Sequence, residues 1–153
     1  MDQPAECVIC KLLAGELEVS MVHRDELCSA FMDINPVNRG HVLVVPNRHT
    51  AEVTGLTEAE SARIFVLAQR VNAALRKSGL KCEGVNFFVA DGEAAGQEVF
   101  HVHLHIFPRF KKDGFRLVLP ADYGKQPSRK NLDETAALIK KHLKFDTLMS
   151  DTL

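Results

Sequence analysis

Apolar side chains recur at Ile64, Leu67, Ala68, Val71 and Leu75, the spacing of one face of a helix with 3.6 residues per turn. Thr57 and Glu60 stand at capping-box spacing ahead of this stripe, and Gly79 follows it. The pattern therefore predicts a long helix that starts at Thr57 and stops at Gly79. Elsewhere the apolar blocks are short. Residues 7–14 (CVICKLLA) predict one or two helical turns ended by Gly15. Val19–His23 and Leu27–Asp33 predict strands around the turn-like Arg24-Asp25-Glu26. His41–Val45 is a β-branched run stopped by Pro46, hence a buried strand. Val85–Ala90 and Val99–Phe107 complete the strands, the last closed by Pro108. The polar stretch 110–131 carries Pro120, Gly124 and Pro127 and reads as irregular, and Leu132–Leu143 reads as a terminal helix. Neighbouring strands with one central helix predict an α+β fold built on an antiparallel sheet. No repeat or composition break divides the 153 residues, so the chain reads as a single domain, 1–153.

Composition narrows the partners more than the fold. Hydrophobic residues at 46% and charged residues at 25% exclude wholesale disorder. Nineteen basic against twenty acidic residues leave a net charge of −1, which offers no global attraction to nucleic acid or to an anionic membrane. No apolar run approaches the roughly 18 residues of a spanning helix. The opening Met-Asp-Gln-Pro-Ala-Glu does not read as a secretory signal. Cys7, Cys10, Cys28 and Cys82 are then expected as thiols or metal ligands in a reducing compartment, the cytoplasm.

The chemistry concentrates in His101-Val-His103-Leu-His105-Ile-Phe107. Side chains alternate across a strand, so the three imidazoles are expected on one face, about 7 Å apart, with Val102, Leu104 and Ile106 on the other. Three readings compete: a solvated histidine face, a metal site, or nucleophilic catalysis by one imidazole with its neighbours orienting it and handling protons. The preceding loop favours the last. Gly92 and Gly96 can turn backbone N–H groups toward an anion, and Gln97 adds an amide donor. Such a cradle beside an imidazole row suits phosphoryl or nucleotidyl transfer.

Gly96-Gln-Glu-Val-Phe-His101-Val-His103-Leu-His105-Ile-Phe107 resembles the signature of the histidine triad (HIT) family, in which three histidines alternate with apolar residues. The similarity continues upstream through Phe31-Met-Asp33-Ile34-Asn35-Pro36, Gly40-His41-Val-Leu-Val-Val-Pro46 and His49, and covers about residues 7–109, leaving 110–153 as an extension. The stretch Asp91–Gln97 and the ending Pro108-Arg109 resemble the bacterial-type and dinucleoside-polyphosphate-hydrolase branches. The resemblance implies a HIT-like fold: about five antiparallel strands with one long helix across them, short terminal helices, and a homodimer in which two sheets join and the long helices pack together. It implies a nucleotide hydrolase or transferase that cleaves at the α-phosphate. His103 would be the nucleophile that forms a covalent nucleotidyl-histidine, His105 would assist the leaving group, and His101 would orient the site. Gly96 and Gln97 would contact phosphate, Asp33 the ribose, and Phe31 and Ile34 would wall the base, expected to be adenine. Dinucleoside polyphosphates or related adenylylated compounds are the expected substrates. A phosphoramidase of AMP-amines, a non-catalytic nucleotide-binding module and a zinc hydrolase are the rivals. Two positions depart from the pattern: Ala90 replaces a common Asn, and Glu98 replaces a common Ser or Thr.

Cys7-Val-Ile-Cys10 has the spacing of a zinc knuckle, but two cysteines alone do not complete a structural site. The resemblance supplies two further ligands, His49 and His101, for a structural zinc that takes no part in the chemistry, for which no metal is required. Apolar packing of the cysteine pair, or a different ligand set, is the alternative. His41 is expected to be structural, and Arg109 either reaches a phosphate or lies on the surface. Lys111, Lys112, Lys125, Arg129 and Lys130 read first as a solvated basic face and second as a rim facing a polyphosphate.

Overall fold

The computed structural model describes residues 5–144, which fall into two compact units that divide after Phe115. In the first unit five antiparallel strands form one sheet: β1 (Met21–Arg24), β2 (Cys28–Met32), β3 (Val42–Pro46), β4 (Gly84–Phe88) and β5 (Leu104–Arg109). Their order is β1-β2-β3-β5-β4, so β3 and β5 lie in the interior and β1 and β4 form the edges. Alternation sorts the side chains. Cys28, Ala30, Val42, Val44, Leu104 and Ile106 share one face and pack on the helix α2 (Glu58–Lys77) through Ile64, Leu67, Ala68, Val71 and Leu75. Each Val, Leu or Ile among them contributes about 1.5–3 kcal/mol when taken from water. The other face carries Phe31 and Val45, which pack with Cys7, Ile9 and Leu13 at the helix α1 (Val8–Ala14).

The predicted helix ends are found. Thr57 Oγ1 accepts from the Glu60 N–H at 3.2 Å, and the Glu60 carboxylate accepts from the Thr57 N–H at 2.8 Å, closing the capping box. The same carboxylate receives two bonds from Arg48, and this pairing holds its pKa down at about 2. Gly15 ends α1 with φ +78°, and its N–H bonds Leu12 O. At Gly40, φ +103° leads the chain into β3, and a Cβ there would meet Leu80 Cδ1 at 2.9 Å.

One strand differs from the sequence reading. The run Val99–Phe107 enters the ladder only at Leu104, whose partner is Val44. Beyond Val44 the partner strand soon reaches Pro46, which has no N–H to donate. The two chains then separate. The Val102 N–H turns to Thr50 O at 2.7 Å, and the His101 N–H to Val99 O at 2.9 Å. Val102, Leu104 and Ile106 are buried as expected, but burial does not alternate: His101, His103 and Phe107 are buried as well, and His105 is half-buried.

The second unit contains irregular backbone followed by the helix α3 (Arg129–His142). It begins three residues before the predicted Leu132 because Ser128 Oγ accepts from the Asn131 N–H at 3.2 Å and caps it. Among the described residues no helix is long and apolar enough to cross a membrane.

Candidate functional site

The histidines do not form the expected row. His101, with no exposed surface, turns away from the other two, while the His103 and His105 rings stand 4.8 Å apart, edge to face. What reaches His103 from His101 is the main chain: His103 Nδ1–H donates to His101 O at 2.6 Å. That bond places the His103 proton on Nδ1 and leaves a lone pair on Nε2. His103 is 9% exposed. Its Nε2 bonds no described residue, and no buried side-chain nitrogen or oxygen among the described residues lacks a partner. Nε2 therefore meets solvent.

His41 is tied into the site although the sequence reading made it structural. The Val37 N–H donates to His41 Nδ1 at 3.2 Å, so His41 carries its proton on Nε2. His41 Nε2 lies 3.0 Å from His105 Nδ1 and donates to it. His105 must then hold its own proton on Nε2, which by the same accounting meets solvent. Burial lowers the His41 pKa against the opposing pull of Asp33. Burial, with His103 and His41 nearby, lowers that of His105 to about 4. Both rings are neutral at pH 7. The sequence marks His41 only through the family resemblance and does not show its bond to His105. It is the β3–β5 pairing, with Leu43 opposite His105, that brings it there.

Asp33 sits beside this pair. Its Oδ1 accepts from the Asn35 N–H at 2.8 Å, and its Oδ2 lies 3.5 Å from His41 Nδ1 and 3.8 Å from His105 Nδ1. Ile34 is 89% exposed and offers an open apolar surface. Phe31 is placed otherwise than expected: 2% exposed and packed with Ile9 and Val45, it supports the sheet and presents no face to a base.

The glycine loop also differs from the expected cradle. The Gly92 N–H donates to Gln97 Oε1 at 2.7 Å, and the Gly96 N–H donates to Glu93 O at 2.9 Å. Gln97 Nε2 donates to Ala51 O at 2.7 Å and to Val99 O at 3.1 Å. The loop closes on itself as a short turn over Glu93–Ala95, and Gln97 is the strut that holds it. Glu98 is exposed and Ala90 buried. Arg109 is likewise committed, to Asp113, to Asn86 Oδ1 at 2.9 Å and to Phe115 O at 3.0 Å.

Behind the site the donor atoms of Cys7, Cys10, His49 and His101 all lie within 4.8 Å of one another. Cys10 Sγ is 3.4 Å from His49 Nδ1, and both sulfurs are 3.6 Å from His101 Nδ1. Zinc bonds of about 2.3 Å to sulfur and 2.0 Å to nitrogen, at tetrahedral angles, require S···N separations of roughly 3.5 Å. His101 Nε2–H donates to Pro46 O at 2.9 Å, which leaves Nδ1 free as a ligand. Burial, and Cys7 beside it, push the Cys10 thiol up to about 11, a strain that a bound cation relieves. The donor set fits zinc.

An apolar cavity of about 340 Å³ lies on the opposite face of the sheet, between α2 and β1, and includes none of these groups.

The pattern that defines the HIT domain matches residues 14–112. The chain belongs to the HIT domain family. Among solved HIT proteins, one from Bacillus anthracis is 34% identical, with a TM-score of 0.83 over 90% of this chain and 97% of that one. A zinc-bound histidine triad protein from Mycobacterium smegmatis is 32% identical, with a TM-score of 0.70 over 92% of this chain and all of that one. Adenylylsulfatase HINT3 of Arabidopsis thaliana is 33% identical over 112 residues, 71% of this chain and 54% of that protein. The HIT assignment agrees with the five-stranded antiparallel sheet crossed by α2.

Proposed function

We propose that this HIT protein is a nucleotide hydrolase or transferase that cleaves at the α-phosphate through a covalent nucleotidyl-His103, acting on dinucleoside polyphosphates or related adenylylated compounds. The observation that carries the reading is the pair of solvent-facing Nε2 atoms in opposite proton states, a lone pair on His103 and an N–H on His105. The His103 lone pair attacks phosphorus, an N–P bond forms, and the bond to the bridging oxygen breaks with its electron pair on the leaving group. His101 O faces the Nδ1–H of the ring as it becomes cationic. His105 Nε2–H donates a hydrogen bond to the departing oxygen. Water then attacks phosphorus, the pair returns to Nε2, and one water proton leaves with the product or to solvent.

The low His105 pKa favours anhydrides over amines as leaving groups. A phosphate or sulfate departs as an anion on a hydrogen bond alone, whereas an amine requires a full proton that a neutral imidazole gives up poorly. Adenylylsulfatase activity in the Arabidopsis relative fits this preference. Asp33 and Ile34 are read as ribose and base contacts, since Asp33 adjoins His41 and His105 and Ile34, next to it in the chain, is exposed. Cys7, Cys10, His49 and His101 would hold a structural zinc that pins α1 to the sheet. The chain is read as a homodimer, supported by the exposed Phe65, Phe88 and Val89 around α2 and the edge strand β4.

The test compares hydrolysis of a diadenosine polyphosphate, adenosine phosphosulfate and an AMP-amine by wild type and by His103→Ala. Wild-type turnover of an anhydride should exceed that of the variant by at least about 10³-fold. Equal rates would return the protein to the nucleotide-binding class, and a preference for the amine would reverse the substrate reading.

A further inference from the structure

The β3–β5 ladder ends at Val44 and Leu104, and His103 is the first residue past it. From there back to Val99 no strand pairing holds the chain; a few separate contacts do. The His101 ring donates to Pro46 O, the Val102 N–H donates to Thr50 O, and Gln97 Nε2 donates to Ala51 O. The four-donor cluster lies across the same gap, with His49 on the β3 side, His101 on the β5 side and both cysteines at α1. His101 thus belongs to two devices. Its ring faces Cys7 and Cys10, and its carbonyl fixes the proton and orientation of the His103 ring.

We propose that the Cys7, Cys10, His49, His101 cluster positions His103 through the His101 main chain, so that loading of this metal site governs attack by His103. His101 is a positioning residue; its imidazole never meets the substrate. A single Cα joins the ring that would ligate a tetrahedral zinc to the carbonyl that aims the nucleophile. With the metal site empty, His101 is held on one side only, its ring by Pro46 O and its N–H by Val99 O, and the Nδ1–H···O bond loosens. Displacement of a reacting group by about 1 Å costs on the order of 100-fold in rate. The inference rests on the nucleotidyl-transfer reading for its kinetic consequence, and on geometry alone for its structural one.

The test uses the full chain with labelled histidine nitrogens, loaded with zinc or stripped by a chelator. In the zinc-loaded protein the His103 Nδ1–H should give a slowly exchanging resonance. In the stripped protein that resonance should disappear while the far-ultraviolet circular dichroism is retained, and zinc should restore it. His49→Ala, which removes a ligand and keeps the His101 side chain itself, should behave like the stripped protein. Ile9→Ala loosens α1 but spares all four donors, so it should keep the resonance. Adduct formation at His103 in a single turnover should fall about 100-fold on stripping, with AMP affinity changed less than about threefold. An unchanged resonance in folded, stripped protein overturns the coupling. So does its loss in Ile9→Ala, or a fall in AMP affinity equal to the fall in rate. If zinc-loaded protein forms no adduct, the nucleotidyl-transfer reading fails, and the resonance alone decides the coupling.

Discussion

His105 joins chemistry and stability in one side chain. Its pKa is lowered from 6.5 to about 4, chiefly by burial, so the unfolded chain binds its proton more tightly than the folded one. Stability contributed by the neutral ring is complete above pH 6.5 and is lost as pH falls from 6.5 toward 4. Urea unfolding across that range should show the loss in wild type and a shallower slope in His105→Gln; equal slopes would contradict the buried, neutral ring. His41 acts one bond further back. Removing it in His41→Ala frees the His105 ring to change tautomer, and single-turnover adduct formation should slow by about 100-fold with AMP affinity nearly unchanged. A fall in affinity of the same size would make His41 a binding residue. At this scale the sequence shows the chemical groups but not their partners. His103 and His105 are legible from alternation with apolar residues. The commitment of Gln97 to Ala51 and Val99, and of Arg109 to Asp113, is not, because an amide or guanidinium that serves the fold reads the same as one that serves a phosphate.

At the scale of elements, helix boundaries follow from local chemistry. The capping box at Thr57 fixes the start of α2, and Thr57→Ala should lower unfolding free energy by about 1 kcal/mol while leaving His103 reactivity intact. An unchanged denaturation midpoint would show that the Arg48–Glu60 pair alone holds that end. Strand extent was less legible. The period-2 pattern over Val99–Phe107 places Val102, Leu104 and Ile106 in the core but misses the burial of His101, His103 and Phe107; a ladder also needs a partner, and the partner ends at Pro46. Pattern within one strand cannot report where its neighbour stops. The same gap in pairing leaves room for the cysteine–histidine cluster and turns His101 away from His103.

For the molecule as a whole, a sheet of five strands about 4.8 Å apart is too wide for one helix about 10–12 Å across. α2 covers the centre, and an apolar spot stays open on its flank: Phe65 is 65% exposed beside Phe87, ring centroids 6.0 Å apart. In the homodimer proposed above, a second copy of the chain would cover that flank. Sedimentation should give twice the 17.0 kDa chain mass for wild type and the monomer mass for Phe65→Glu. A monomeric wild type would contradict the dimer. The central claim remains the nucleophilic lone pair on His103. Intact-protein mass spectrometry after brief mixing with a diadenosine polyphosphate tests it most directly. The account predicts a single added AMP moiety on wild type that is absent from His103→Ala; hydrolysis by wild type with no adduct trapped at any time, or an adduct that persists in His103→Ala, would contradict it.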